Sequence, residues 1–95
     1  MAEEAQVPDE VIEETTVGDL DGARVAVGTV VLSGAYPLAD GTEATGPAAI
    51  LALPDDSSVW VGAGSVVAVE GTTWTVLSVT KAPGEPGEVA LSRGR

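Results

Sequence analysis

Cysteine and histidine are both absent from this chain of 95 residues, and lysine occurs once, at Lys81. Without cysteine no disulfide can form, and cysteine usage does not indicate whether the protein's compartment is oxidising or reducing. Acid and base catalysis near neutral pH usually draws on histidine, lysine or a tuned carboxylate. Lys81 adjoins a Pro-Gly loop and is interpreted as a solvated cation, and no serine or threonine has a recognisable base beside it. We therefore expect a protein that is not an enzyme, with no catalytic residues and no cofactor.

Aromatic side chains are almost as scarce, with no phenylalanine, one tyrosine and two tryptophans against 15 valines and 14 alanines. A core of small side chains depends heavily on its few large members, because one tryptophan buries roughly 150–250 Å². Trp74 follows a glycine turn directly, and we expect it to close one end of the core. Trp60 lies between Val59 and Val61, so its indole points away from the core if both valines face inward.

Basic residues number four against 15 acidic ones, which gives a formal net charge of −11. The acids are concentrated in residues 1–23, which contain no basic residue at all. This field repels nucleic acid and anionic membrane surfaces, so we expect direct binding to neither. The N-terminus has acids where a secretory signal needs basic residues, and no apolar run reaches the length of a membrane span. A cytoplasmic protein is therefore expected.

Two acidic motifs were candidates for metal binding. The sequence Asp19-Leu20-Asp21-Gly22 begins like a calcium-binding loop, but Ala23 and Val30 occupy positions that should supply oxygen ligands. Asp55-Asp56 follows Pro54 and is typical of a turn, with a weak cation site as the alternative. We expect no metal site.

Turn residues divide the chain into an acidic leader and a series of short β-rich segments. The leader spans residues 1–22 and is expected to be flexible, with a short helix from Pro8 as the alternative. Residues 33–47 are rich in turn formers and are expected to form a long loop. The pattern predicts an all-β domain over residues 23–95, a five- or six-stranded antiparallel barrel or roll. The predicted strands are residues 23–32, 48–53, 58–61, 66–69, 74–80 and 88–92.

The segment 74–80 (WTVLSVT) is apolar at both alternating positions, with Trp74 and Val76 on one side and Leu77 and Val79 on the other. Such a strand is either covered on both faces by a curled sheet or exposes one face to another chain, and we favour internal cover. Gly71 is predicted to make the preceding hairpin turn.

The order of strands and turns from Trp60 onward resembles a group of small actinobacterial β-domain proteins without an assigned activity. The resemblance implies a β-rich fold and carries no function. Similar glycine-turn hairpins also resemble parts of small phage head and tail joining proteins. The matching positions are Gly64-Ser65, Gly71, Trp74, Val76, Val79, Pro83-Gly84 and Leu91 to Arg93.

Exposed aromatic side chains are enriched at protein interfaces, so they guide the functional prediction. We predict a non-enzymatic module that binds a protein partner or associates with itself. The expected contact residues are Trp60, Tyr36, Pro37 and Asp40, of which the last three belong to the expected loop 33–47.

Two alternatives remain open. The acidic leader suggests a mimic of DNA that inhibits a nucleic-acid enzyme; deleting residues 2–16 should then abolish inhibition and leave the β-domain folded. The phage resemblance suggests a structural joining protein, which should assemble into dimers or rings.

Overall fold

The computed structural model describes residues 8–20 and 22–93, and these form β-strands without any helix. Residues 1–7, 21 and 94–95 lie outside the described part. The strands are β1 (Glu10–Glu13), β2 (Val17–Leu20), β3 (Ala23–Pro37), β4 (Glu43–Ala52), β5 (Ser58–Val61), β6 (Val66–Val69), β7 (Thr72–Thr80) and β8 (Glu88–Arg93).

The strands form two antiparallel sheets of four strands each. Sheet A has the order β1-β8-β7-β6, and sheet B has the order β2-β3-β4-β5. The predicted all-β class is therefore confirmed. No closed barrel is found among the described strands, and they number eight rather than five or six.

Part of the expected flexible leader is folded into the sheets. β1 pairs with β8 and β2 pairs with β3, so both strands belong to the β-structure. Their alternation places one large apolar side chain each in the core, Ile12 and Leu20. The expected short helix from Pro8 is wrong, because Glu10–Glu13 is extended and hydrogen-bonded to β8. The rest of the leader, residues 1–7 and Asp21, lies outside the described residues.

The loop expected over residues 33–47 is wrong, since a hairpin takes its place. β3 continues to Pro37 and β4 starts at Glu43, which leaves a turn at residues 38–42. Small residues pair across this hairpin, including Gly34 with Gly46. Tyr36 is 7% exposed, and its ring packs on Gly62. This buried side chain holds the segment in an extended conformation, although its composition is typical of a loop.

The two-sided apolar character of β7 has a local explanation. The register with β8 shifts between Val76 and Ser78, which inserts Leu77 as an extra residue in a bulge. The bulge reverses the alternation, so Trp74, Val76 and Val79 all face the core while Leu77 is half-buried. Neither a sheet covered on both faces nor an exposed pairing face is needed to account for the pattern.

A single apolar core lies between the two sheets, and Trp74 is its largest side chain at 2% exposure. The prediction that Trp74 belongs to the core is thus confirmed. The predicted turn is also confirmed, because Gly71 follows Glu70 in a two-residue connection and both have positive φ, 85° and 50°. Such a turn matches the twist of the flanking strands.

The sheets approach each other along two seams, one on each side of the core. One seam lies between edge strands β1 and β2, which are joined by residues 14–16. The other lies between edge strands β5 and β6, which are joined by residues 62–65. The two seams are built differently, and this difference places the candidate site.

Candidate functional site

Trp60 lies on the outer face of edge strand β5 and is 40% exposed. The interpretation that its indole points away from the core is confirmed, because Val61 is buried and Val59 packs against the core. Tryptophan is large and its side chain has few rotatable bonds, so an exposed indole presents contact area at a low entropic cost.

A groove of about 240 Å³ opens between β5 and β6. Strand β6 contributes Val66, which is 42% exposed, and Ala68. Strand β5 contributes Val59 and Trp60, and Pro37 borders the groove from the end of β3. The lining is predominantly apolar, so water covering it is readily displaced by an apolar side chain.

One end of the groove is fixed by the Ser65 hydroxyl, which is buried in the connection between β5 and β6. Ser65 Oγ accepts a hydrogen bond from the Gly62 backbone N–H at 3.0 Å and donates one to the Pro37 carbonyl at 2.7 Å. This hydroxyl therefore ties the β3–β4 hairpin to the connection between the sheets. Tyr36 lies beneath, packed on Gly62.

The opposite end of the groove is acidic. An adjoining cavity of about 450 Å³ is lined by the residues that precede β5, by the end of β6 and by the turn that follows it, with Asp55 and Glu70 as its charged members. Asp55 Oδ1 accepts hydrogen bonds from the hydroxyl (2.6 Å) and the backbone N–H (3.0 Å) of Ser57. These bonds lower the pKa of the Asp55 carboxyl, so its negative charge persists to more acidic pH.

The backbone of β5 and β6 is paired on one side only. The Leu53 N–H donates to the Ser57 carbonyl, and because antiparallel pairs alternate, the N–H and C=O groups of Ser58 and Trp60 are directed away from β4. In the same way the Val76 N–H donates to the Ser65 carbonyl, which directs the backbone groups of Val66 and Ala68 away from β7. Both free edges border the groove.

The four residues expected to form a contact surface are only partly brought together. Trp60 and Pro37 both border the groove. Tyr36 is buried, so the expectation that its side chain is part of an exposed surface is wrong. Asp40 lies in the turn 38–42, where its Oδ1 accepts hydrogen bonds from the hydroxyl and the N–H of Thr42; these bonds lower the pKa of Asp40 and stabilise the turn.

The seam between β1 and β2 is closed by the Glu14 carboxylate. Glu14 Oε1 accepts hydrogen bonds from Lys81 Nζ (2.7 Å) and the Gly87 N–H (3.0 Å), and Oε2 accepts one from the Val30 N–H (3.1 Å). The bond from Lys81, followed by the two backbone bonds, lowers the pKa of Glu14 from 4.5 to about 2. Since Val30 belongs to sheet B and Gly87 directly precedes β8 of sheet A, this side chain joins the two sheets.

Val66 and Glu14 were missed by the sequence reasoning. Val66 stands out once the segment Val66 to Val69 is read as a strand whose alternate residues, Val67 and Val69, face the core. Glu14 offered no such signal, because its partner Lys81 is 67 residues away in the sequence.

Among residues 8–20 and 22–93, no group of three or more acidic side chains has an arrangement suited to a metal ion. The same residues include no helix of the length and apolarity needed to cross a membrane.

The chain was compared with family models, with curated proteins and with solved structures, and none of the three comparisons found a match.

Proposed function

We propose that this protein is a non-catalytic protein-binding module, whose partner contacts the groove between β5 and β6. The observation that carries the proposal is the position of Trp60, an exposed indole on an edge strand beside an apolar groove. Tryptophan is among the residues most often found to dominate binding energy at protein interfaces. The proposal includes the cytoplasmic location expected from the sequence.

The groove has further features of a small interface. Its apolar centre is bordered by charged residues at one end, an arrangement that resembles the apolar core and polar rim of protein interfaces. The Ser65 hydrogen bonds hold one wall in place, so little ordering of that wall is needed when a partner binds. A strand added between β5 and β6 would also connect the two sheets on this side. We therefore assign the barrel-like fold expected from the sequence to the protein with its partner bound.

The test is a comparison of Trp60→Ala with Leu32→Ala in partner capture from the native cell, with mass spectrometry as the readout. Leu32 is a matched control, since it is 58% exposed on β3 and does not line the groove. We expect Trp60→Ala to weaken binding by about 2 kcal/mol or more, roughly 30-fold, and Leu32→Ala to retain the same partner. Equal retention by both variants would show that the groove is not the binding surface.

The two other roles considered from the sequence, a mimic of DNA and a phage joining protein, draw on no specific contact among the described residues. They stay predictions.

A further inference from the structure

We propose that the occupant of the groove is an extended, positively charged segment of the partner protein, which adds a strand to the free edge of β5. This inference rests on the proposed function and specifies the partner of the same site. Three independent properties of the groove support it: the direction of the backbone groups, the chemistry of the side chains, and the sign of the charge.

The backbone of β5 offers a ready template for a strand. Ser58 and Trp60 direct their N–H and C=O groups away from β4, toward the groove. An extended peptide satisfies such groups by forming the next antiparallel or parallel ladder, as in other cases of strand addition. A helix cannot do so, because its own backbone groups are already paired.

The side chains beside this edge suit a strand with apolar residues at alternate positions. Successive side chains of a strand point to opposite faces of the sheet. Those on the outer face of an added strand would lie next to Trp60, which is exposed there. Those on the inner face would approach Val59 and Val67, which border the groove from the core side. The inner positions therefore favour apolar side chains, whereas the outer positions beside Trp60 lie at the surface and also accept polar ones.

The charge around the groove favours a basic segment. Its charged lining residues are the acids Asp55 and Glu70, whereas the described basic residues, Arg24, Lys81 and Arg93, line neither cavity of the groove. Charges are screened beyond about 10 Å at moderate salt, so Asp55 and Glu70, which line the acidic cavity, are the acids that attract a basic side chain there. A lysine or arginine at one end of the bound segment would lie in the acidic cavity.

The same charge argues against a second copy of this chain as the occupant. The groove of a second copy is lined by the same acids and by none of the described basic residues, so Asp55 and Glu70 would gain no opposite charge. A basic segment supplies that charge.

The first experiment selects random-sequence peptides displayed on phage against the wild-type protein, with Trp60→Ala as the counter-target. The expected peptides have apolar residues at alternate positions and lysine or arginine at one end. Peptides that are acidic, or that show no alternation, would overturn the proposal. So would a selection in which nothing is enriched over the Trp60→Ala target.

The second experiment tests backbone pairing with an enriched peptide, by methylating alternate amide nitrogens. Methylation in the register that faces β5 should weaken binding about tenfold or more, because it removes hydrogen bonds and blocks close approach. Methylation in the other register should leave binding nearly unchanged. Equal effects in both registers would overturn strand addition.

The protein side of this test uses Ser58→Pro with Ser58→Ala as its control. Proline removes an N–H that is directed away from β4, and edge strands tolerate proline at such positions. We expect Ser58→Pro to lose affinity for the peptide while thermal unfolding and the spectrum of the β-sheet stay close to those of Ser58→Ala. Unchanged affinity in a folded Ser58→Pro protein would count against the proposal.

The charge is tested by Glu70→Gln, with Glu43→Gln as an exposed acid outside the groove. Glu70→Gln should weaken the peptide roughly two- to fivefold, and added salt should reduce this difference. If both variants behave alike, the acidic cavity does not contact the peptide.

Failure of this inference is distinguishable from failure of the proposed function. A native partner that is lost by Trp60→Ala, but whose binding neither Ser58→Pro nor Glu70→Gln affects, would leave the binding module intact and overturn the basic strand. A wild-type dimer that Trp60→Ala dissociates, measured by light scattering, would identify a second copy as the occupant and also overturn it.

Discussion

The two seams between the sheets have similar topology and opposite chemistry. Both lie where the chain passes from an edge strand of one sheet to an edge strand of the other. At the seam between β1 and β2, the Glu14 carboxylate and the backbone bonds around it join the sheets. At the seam between β5 and β6, the strands leave an apolar groove with Trp60 beside it. The first seam joins the two sheets, and the second is where we propose that a partner binds.

The comparison also separates an acid that stabilises the fold from an acid that borders the groove. Glu14 is surrounded by donors, and its charge is balanced by Lys81 at 2.7 Å. Glu70 adjoins the groove. Among the described residues, the hydrogen bonds that join the two sheets do not involve Glu70. A count of acidic residues treats the two alike, whereas their neighbours give them different roles.

The largest expected effect comes from removing one side of the closed seam. Deleting residues 2–16 removes β1, the buried Ile12 and the Glu14 contacts. Loss of a buried isoleucine side chain alone costs about 2–5 kcal/mol, so we expect this deletion to unfold the protein or to leave it without a cooperative transition. The measurement is thermal unfolding followed by circular dichroism.

Deletion of residues 2–7 is the control, because it keeps every described strand. If the deletion of residues 2–16 remained as stable as this control, β1 would not be an essential part of the fold. The larger deletion is also a poor test of a DNA mimic, since it changes the fold together with the charge.

The core substitution Trp74→Ala should have the next largest effect. Trp74 is 2% exposed and lies in the core that both seams share. We expect a loss of about 3–5 kcal/mol in the free energy of unfolding, measured by urea denaturation. A loss below about 1 kcal/mol would contradict its role as the largest side chain of the core.

Glu14→Gln should weaken the closed seam specifically. The amide cannot balance the charge of Lys81, and it replaces one of the two acceptor oxygens with a donor. We expect a lower melting temperature at pH 7, with Glu13→Gln, an exposed neighbour, as the matched control. Equal melting temperatures for the two variants would show that the Glu14 contacts do not stabilise the protein.

The same seam predicts a pH dependence. The pKa of Glu14 is lowered in the folded protein, from 4.5 to about 2, so the stabilisation is fully present above pH 4.5 and is lost as the pH falls toward 2. The stability difference between wild type and Glu14→Gln should therefore shrink over this interval. A difference that stays constant from pH 6 to pH 2 would be inconsistent with a charged Glu14 in the seam.

The smallest effect on stability is expected at the open seam. Trp60→Ala should change the free energy of unfolding by about 1 kcal/mol, because Trp60 is 40% exposed and does not belong to the core cluster. Its effect should appear in binding instead. A loss as large as that of Trp74→Ala would mean that Trp60 supports the fold rather than a partner.

The sequence was sufficient where short-range patterns decide the structure. The bounds of β5 and β6 agree with the predicted residues 58–61 and 66–69, because small turn-forming residues end both segments. The different environments of Trp60 and Trp74 also followed from their immediate neighbours. These are the elements that form the open groove.

The sequence was insufficient where distant residues decide. β1 was hidden in an acidic segment, and its pairing with β8 depends on residues at the far end of the chain. The extended backbone near Tyr36 depends on the space above Gly62, which no local pattern reveals. The bulge at Leu77 reverses the alternation of inward and outward side chains in β7, and the sequence alone does not indicate where a bulge lies.

The pairing of β1 with β8 has a consequence for the order of folding. The Glu14 contact with Gly87 joins residues 73 positions apart, whereas the groove is built from the neighbouring hairpins β4–β5 and β6–β7 and from the connection between them. Contacts between distant residues carry the higher entropic cost of chain closure and tend to form later. We therefore expect the groove to be in place before the opposite seam closes, so that the proposed binding surface is present on a chain that is still completing its fold.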